Sequence, residues 1–263
     1  MEFAPHYLEP STSPGQWEGG GSWTPGSRAS GPWTPGAGAA GSWTPGAGAA
    51  GPWVVLRGGA GGRRTDGEAD APGGAVLLDR DAVLVADIAY NGDPGRVYPR
   101  PGAREAVAEL RALGVRLGVV TDQPGIARGA LTRPGIERVH HRIEELFGPF
   151  DVWAVCPHRP ADRCGCRKPA PGLVLAAARA LRVRPERTTL VGGTGADLVA
   201  AASAGAHGLL VRPDAARPGE LAVAGHRRAA DLPAAVRLLC AAGTVSAVPA
   251  VPAVSVARAV AAG

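Results

Sequence analysis

From Ala75 to Ala241, short apolar runs alternate with segments whose apolar residues recur every three or four positions, and this alternation constrains the fold more than any other feature of the chain. A strand covered on both faces reads as an unbroken apolar run, whereas a helix lying on a sheet keeps a 3.6-residue period. The pattern therefore predicts βαβ units around a parallel sheet. Strands are expected at Ala75 to Leu78, Val115 to Val120, Phe150 to Val155, Thr189 to Val191 and Gly208 to Val211. Helices are expected from Ala103 to Leu113, with Gly114 as a stop, and over Gly135 to Leu146, Pro171 to Leu181, Gly195 to Ala204 and Asp231 to Ala241. The fold class so read is α/β, a doubly wound parallel sheet with ligands beyond the carboxyl ends of the strands.

Composition places the boundaries of this pattern. The chain holds 39 glycines and 25 prolines, and residues 1 to 73 carry many of them with few aliphatic side chains to form a core. There Trp23, Trp33, Trp43 and Trp53 recur every ten residues within Gly-Ser/Pro-Trp contexts. This segment is expected to be a disordered, low-complexity tail, with a weak sticky interaction segment as the alternative. A folded domain over 74 to 243, about 170 residues, is the size one core supports, and 244 to 263 reads as a second low-complexity tail.

The formal charge of +5 and the pI near 9.5 come from basic residues scattered singly and in pairs such as Arg63-Arg64, without a basic helix or aromatic-studded strand, so nucleic acid is not the expected partner. Lys168 is the sole lysine among 28 basic residues, a sign that this position needs a compact ammonium rather than a planar fork. No basic start joined to an apolar run marks a secretory signal. Pro249, Pro252 and Arg258 break the C-terminal apolar run before it spans a bilayer. A cytoplasmic monomer without a membrane partner is expected, and in that reducing compartment clustered cysteines point to metal rather than disulfides.

Three strand ends carry chemistry. Leu78-Asp79-Arg80-Asp81 puts two carboxylates at the active edge, Asp79 to attack phosphorus and Asp81 to protonate the leaving oxygen and later activate water; a turn-capping aspartate accounts for either one alone. Thr121, followed by Asp122-Gln123-Pro124-Gly125, offers a hydroxyl and main-chain amides to phosphoryl oxygens. Lys168 follows at Cys166-Arg167-Lys168-Pro169, positioned to neutralise charge on a transferred group. Between these, Cys156-Pro-His158 and Cys164-Gly-Cys166 supply three thiolates and an imidazole, a tetrahedral zinc set on a short loop.

Together, Asp79-Arg80-Asp81, Val120-Thr121 with Gln123, Gly125-Ile126-Ala127-Arg128-Gly129, Cys156-Pro157-His158 and Cys164-Gly165-Cys166-Arg167-Lys168-Pro169 resemble D-glycero-D-manno-heptose 1,7-bisphosphate phosphatases of the haloacid-dehalogenase superfamily, which stand alongside histidinol phosphatases of similar sequence. The resemblance covers residues 75 to 212. It implies a Mg²⁺-dependent phosphatase of HAD-like Rossmannoid fold, with no large cap domain and a zinc-binding loop insertion, that forms a phospho-aspartate on Asp79. Asp81 would act as acid and base, Thr121 and Lys168 would hold the phosphoryl group, and Arg80, Asp87, Tyr90, Asp122, Gln123, Pro124 and Arg167 would line the substrate site. Heptose 1,7-bisphosphate is the implied substrate, with histidinol phosphate as an alternative.

The chain departs from this pattern at Gly193, where the family places an aspartate that completes the magnesium site. Asp79 and Asp81 remain as magnesium residues, and Asp197 is left to reach the metal, at most through water. Ala82 stands where glycine is usual and Asp122 where asparagine is usual. A catalytically weakened homologue that binds a phosphorylated ligand or a partner is the competing expectation.

Overall fold

The computed structural model describes residues 51–56, 74–212 and 227–243, so most of the expected N-terminal tail and the whole of 244–263 lie outside the described residues. Seven strands form one sheet in the order β1-β4-β3-β2-β5-β6-β7: β1 Trp53–Leu56, β2 Ala75–Asp79, β3 Arg116–Asp122, β4 Val152–Cys156, β5 Thr188–Gly192, β6 His207–Val211 and β7 Arg228–Ala229. All neighbours are parallel except β1, which runs antiparallel to β4.

Side-chain alternation along β2 sorts the helices onto two faces. Val76 and Leu78 join a core with α1 (Ala103–Ala112), α2 (Arg133–Phe147) and a C-terminal helix, while Ala75 and Leu77 join one with α3 (Gly172–Leu181) and α4 (Gly195–Ser203). That last helix, α5, spans Leu232–Ala241. All five residues of β2 are buried, as they are in β4 and β5, which is why these strands read as continuous apolar runs. Each Leu or Val so buried contributes about 1.5–3 kcal/mol relative to exposure.

Local signals stop and start the helices. Thr132 caps α2 by accepting from the Gly135 amide at 3.2 Å, and Asp231 caps α5 by accepting from Ala234 at 2.8 Å. Each satisfies an amide that the helix itself leaves unpaired.

One boundary differs from the expectation. Trp53, the last tryptophan of the ten-residue repeat, opens β1, and Trp53 to Leu56 pair with Val155 to Val152. The repeat gives way at this point to Trp-Val-Val-Leu, a β-branched and apolar run that suits a sheet edge. The expected tail over 1–73 thus contains a strand of the sheet at 53–56.

Candidate active site

β2 lies at the switch point, since the chain proceeds from it to β3 and β4 on one side and returns to β5 and β6 on the other. The connections leaving β2, β3 and β5 diverge there and open a crevice at the strand ends. Asp79 is the last residue of β2, Thr121 and Asp122 end β3, Gly192 ends β5 and Gly193 follows it.

Lys168 reaches this crevice from the connection between β4 and α3. Its Nζ lies 2.9 Å from Asp79 Oδ1 and 2.6 Å from Asp197 Oδ1, with all three side chains largely withdrawn from solvent. Burial alone disfavours the Lys168 ammonium, but the carboxylates of Asp197, Asp79 and Asp122 outweigh it and hold the amine above its ordinary range. Burial pushes the Asp79 carboxyl well up; Lys168 opposes this, and Asp197 and Asp81 add to it. The cluster thus carries more acid than base, and a cation is the group that would restore Asp79 to its ionised form.

The second carboxylate of the pair is held from two sides. Arg80 donates from Nε and Nη2 to Asp81 at 3.0–3.1 Å, and Gln123 Nε2 donates to Asp81 Oδ2 at 3.0 Å and to Thr121 Oγ1 at 2.9 Å. Arg80, expected among the substrate residues, is only 2 % exposed; it acts on Asp81, while its Nη1 is buried without a hydrogen-bond partner. Gln123, also expected at the substrate, ties Asp81 to Thr121 across the β2–β3 boundary. Sequence spacing gives no sign of the Gln123–Asp81 bond, because it depends on how neighbouring strands end.

Asp197, expected to reach magnesium at most through water, meets other groups directly. Both oxygens are engaged, Oδ1 with Lys168 and Oδ2 with the Thr194 amide at 3.0 Å and hydroxyl at 2.8 Å. Thr194 and Asp197 form a capping box at the start of α4, a signal that Thr-x-x-Asp carries in the sequence. Asp197 is therefore the anchor of Lys168 and of the helix.

Of the remaining expected residues, Asp122 interacts electrostatically with Lys168. Burial raises its carboxyl against the pull of Lys168 and Arg167, and its Oδ1 is buried without a partner. Arg167 is half-buried, with Nη1 also unpartnered. Pro124 begins a turn tied to the end of β4 through Gln123 N–H to Cys156 O and Ala127 N–H to Pro157 O. Tyr90 packs on the same turn, its hydroxyl accepting from Arg128 and its ring 5.6 Å from the guanidinium carbon. Asp87 lies exposed on the connection between β2 and α1.

Whether magnesium fits is decided at Gly193. A Cβ built there meets Ala82 Cβ at 3.5 Å and lies 4.0 Å from the main-chain oxygen of Asp81, ordinary contacts that would admit an aspartate facing that oxygen. In its absence the chain offers Asp79 and Asp81, oxygen donors that fit an ion completing its shell with phosphate and water, with one carboxylate fewer.

The cysteine loop fits a metal without such a deficit. Cys156, His158, Cys164 and Cys166 place one ligand atom each within 4.8 Å of all the others. The sulfurs stand 3.4–3.6 Å apart and His158 Nδ1 lies 3.2 Å from Cys166 Sγ, close to the spacing of about 3.8 Å that a tetrahedron with 2.3 Å metal–sulfur bonds implies. The hydrogen bond to Cys166 and burial push the Cys156 thiol far up, and burial pushes Cys164 up; a bound cation would reverse both.

Residues 38–205 match the haloacid dehalogenase-like hydrolases, described as hydrolases. The chain belongs to this family. Among relatives of this haloacid dehalogenase-like hydrolase, the D-glycero-beta-D-manno-heptose-1,7-bisphosphate 7-phosphatase of Pseudomonas putida is 37 % identical over 142 residues, 52 % of this chain and 81 % of the relative. The D-glycero-alpha-D-manno-heptose-1,7-bisphosphate 7-phosphatase of Mycobacterium tuberculosis is 36 % identical over 108 residues, 38 % of this chain and 56 % of the relative. The D,D-heptose 1,7-bisphosphate phosphatase of Bordetella bronchiseptica, solved with magnesium and phosphate, superposes with a TM-score of 0.56 at 31 % identity, covering 63 % of this chain and 97 % of that one. Among the described residues of the hydrolase no helix is long and apolar enough to cross a membrane.

Proposed function

We propose that this hydrolase removes phosphate from D-glycero-D-manno-heptose 1,7-bisphosphate through a phospho-aspartate on Asp79, with Mg²⁺ in the crevice and Zn²⁺ in the cysteine loop. The observation that carries the reading is the meeting of Asp79 and Lys168 at 2.9 Å beside an Asp81 that Gln123 joins to Thr121. The names of the relatives support the heptose substrate, and they divide over its anomer, β in one and α in the other.

In the first half-reaction an Asp79 oxygen bonds to phosphorus as the bond from phosphorus to the sugar oxygen breaks, and Asp81, in its acid form, gives that oxygen its proton. In the second, Asp81 takes a proton from water whose oxygen attacks the same phosphorus, which frees Asp79 and inorganic phosphate. Thr121 Oγ1 receives the Gln123 amide, so its own O–H is free to donate to a phosphoryl oxygen. Lys168 meets the charge that develops on the transferred group. Magnesium, when bound, would be held by Asp79 and the Asp81 carbonyl and would neutralise phosphoryl charge.

Phosphate release from the α and β heptose bisphosphates, histidinol phosphate and other sugar phosphates, with and without Mg²⁺, tests the proposal. Release that needs both Mg²⁺ and an intact Asp79, checked with Asp79→Asn, and that favours one heptose anomer is expected. Release that persists in Asp79→Asn would end the phospho-aspartate reading.

Gly193 favours a second reading, a homologue of weakened catalysis that binds a phosphorylated ligand. It predicts no release from the natural chain on any substrate of the panel, and release once Gly193→Asp supplies the carboxylate.

A further inference from the structure

Away from the crevice, at the β1 edge of the sheet, lies a groove of about 510 Å³ lined by Trp53 and Val55 of β1, Trp153 of β4, and Glu137, Arg138 and His140 of α2, among others. Its wall is a ladder of rings. His140 stacks on Trp153 with centroids 3.9 Å apart and planes 15° apart, Trp53 lies 6.2 Å beyond His140, and Arg133 covers the Trp53 ring at 4.2 Å. Catalysis uses none of these groups.

Two further observations indicate what occupies the groove. Trp53 Nε1 is buried without a hydrogen-bond partner among the described residues, and such an indole donor ordinarily finds an acceptor. Trp53 is also the last of four tryptophans at ten-residue intervals, so the side chain that built the wall recurs just upstream. Nine residues separate Trp43 from Trp53, all of them Gly, Ala, Thr or Pro. Fully extended they reach about 30 Å, ample for a return to a groove beside their own point of attachment, and a tether this short holds its end at an effective concentration in the millimolar range.

We propose that the groove is an intramolecular docking site for the repeat Gly41 to Gly46, with the Trp43 indole against the Trp53–His140–Trp153 ladder and a main-chain carbonyl of the repeat accepting from Trp53 Nε1. Arg138 offers Trp43 the cationic cover that Arg133 gives Trp53.

The test is the ¹⁹F spectrum of the full chain labelled with 5-fluorotryptophan, its resonances assigned by single Trp→Phe variants. The Trp43 signal is expected to stand away from the random-coil position, and to return there in Arg138→Tyr, which crowds the exposed rim of the groove. A displaced Trp153 signal shows in each sample that the domain is folded. A Trp43 signal at the coil position in the folded natural chain would overturn the proposal, as would displacement of Trp33 in its place. Displacement that fades on dilution would also overturn it, because the groove would then join two copies of the chain.

Discussion

Lys168 and Gly193 are the two residues on which the proposed catalysis turns, and they act in opposite directions. Lys168 is held by Asp79 and Asp197, and removing one partner of a buried ion pair leaves the other charge uncompensated. Asp197→Ala is expected to lower stability by about 3 kcal/mol in urea denaturation and to reduce phosphate release; a loss within experimental scatter would mean that Asp79 alone suffices to hold Lys168. Gly193 withholds a carboxylate where space for one exists. Gly193→Asp is expected to lower the Mg²⁺ concentration for half-maximal activity by about ten-fold or more, in line with the 10–100-fold that even outer-shell ligand partners contribute. An unchanged Mg²⁺ dependence would show that the metal is held elsewhere.

The element that couples these residues to the sheet is the cysteine loop between β4 and α3. It ends two residues before Lys168, and its far side is pinned where the Gly172 amide donates to Gly165 O at 3.0 Å. A Cβ on Gly172 would lie 2.4 Å from that oxygen, so a larger residue there forces loop and helix apart. Cys164→Ser is expected to lower bound zinc, measured by atomic emission, and activity together, because Lys168 loses its fixed origin. Full activity in a zinc-free Cys164→Ser chain would sever the loop from catalysis. Gly172→Ala should cost about 1–3 kcal/mol by overpacking and lower zinc content as well, whereas normal zinc binding with normal stability would show that the contact relaxes freely.

For the whole molecule, β1 decides where the chain can be cut. Deleting residues 1–50 leaves the sheet complete, while deleting 1–73 removes β1, exposes the outer edge of β4 and strips Trp53 from His140. The longer deletion is expected to melt about 5 °C or more below the shorter, since 1 kcal/mol shifts a domain of this size by about 2–4 °C. Equal melting temperatures would mean that β1 adds nothing to stability.

Periodicity and composition by themselves determined the α/β class, the five central strands and the five helices of the described residues to within about three residues at their ends, because burial on one or both sides of a sheet leaves its period in the sequence. Strand-end motifs, cysteine spacing and the family resemblance marked Asp79, Asp81, Thr121, Lys168 and the four metal-loop residues as candidates, since ligand and strand-end chemistry is local in the chain. Tertiary structure alone decided what these residues touch. Gln123 bridges Asp81 and Thr121, Arg80 pairs with Asp81 rather than facing outward, and Asp197 belongs to Lys168. The Gln123–Asp81 and Asp197–Lys168 bonds cross between strand ends and connections that only the doubly wound order brings together. The same holds for β1: four residues, Trp53–Leu56, carry too short a pattern to declare a strand, and pairing with β4 makes them one.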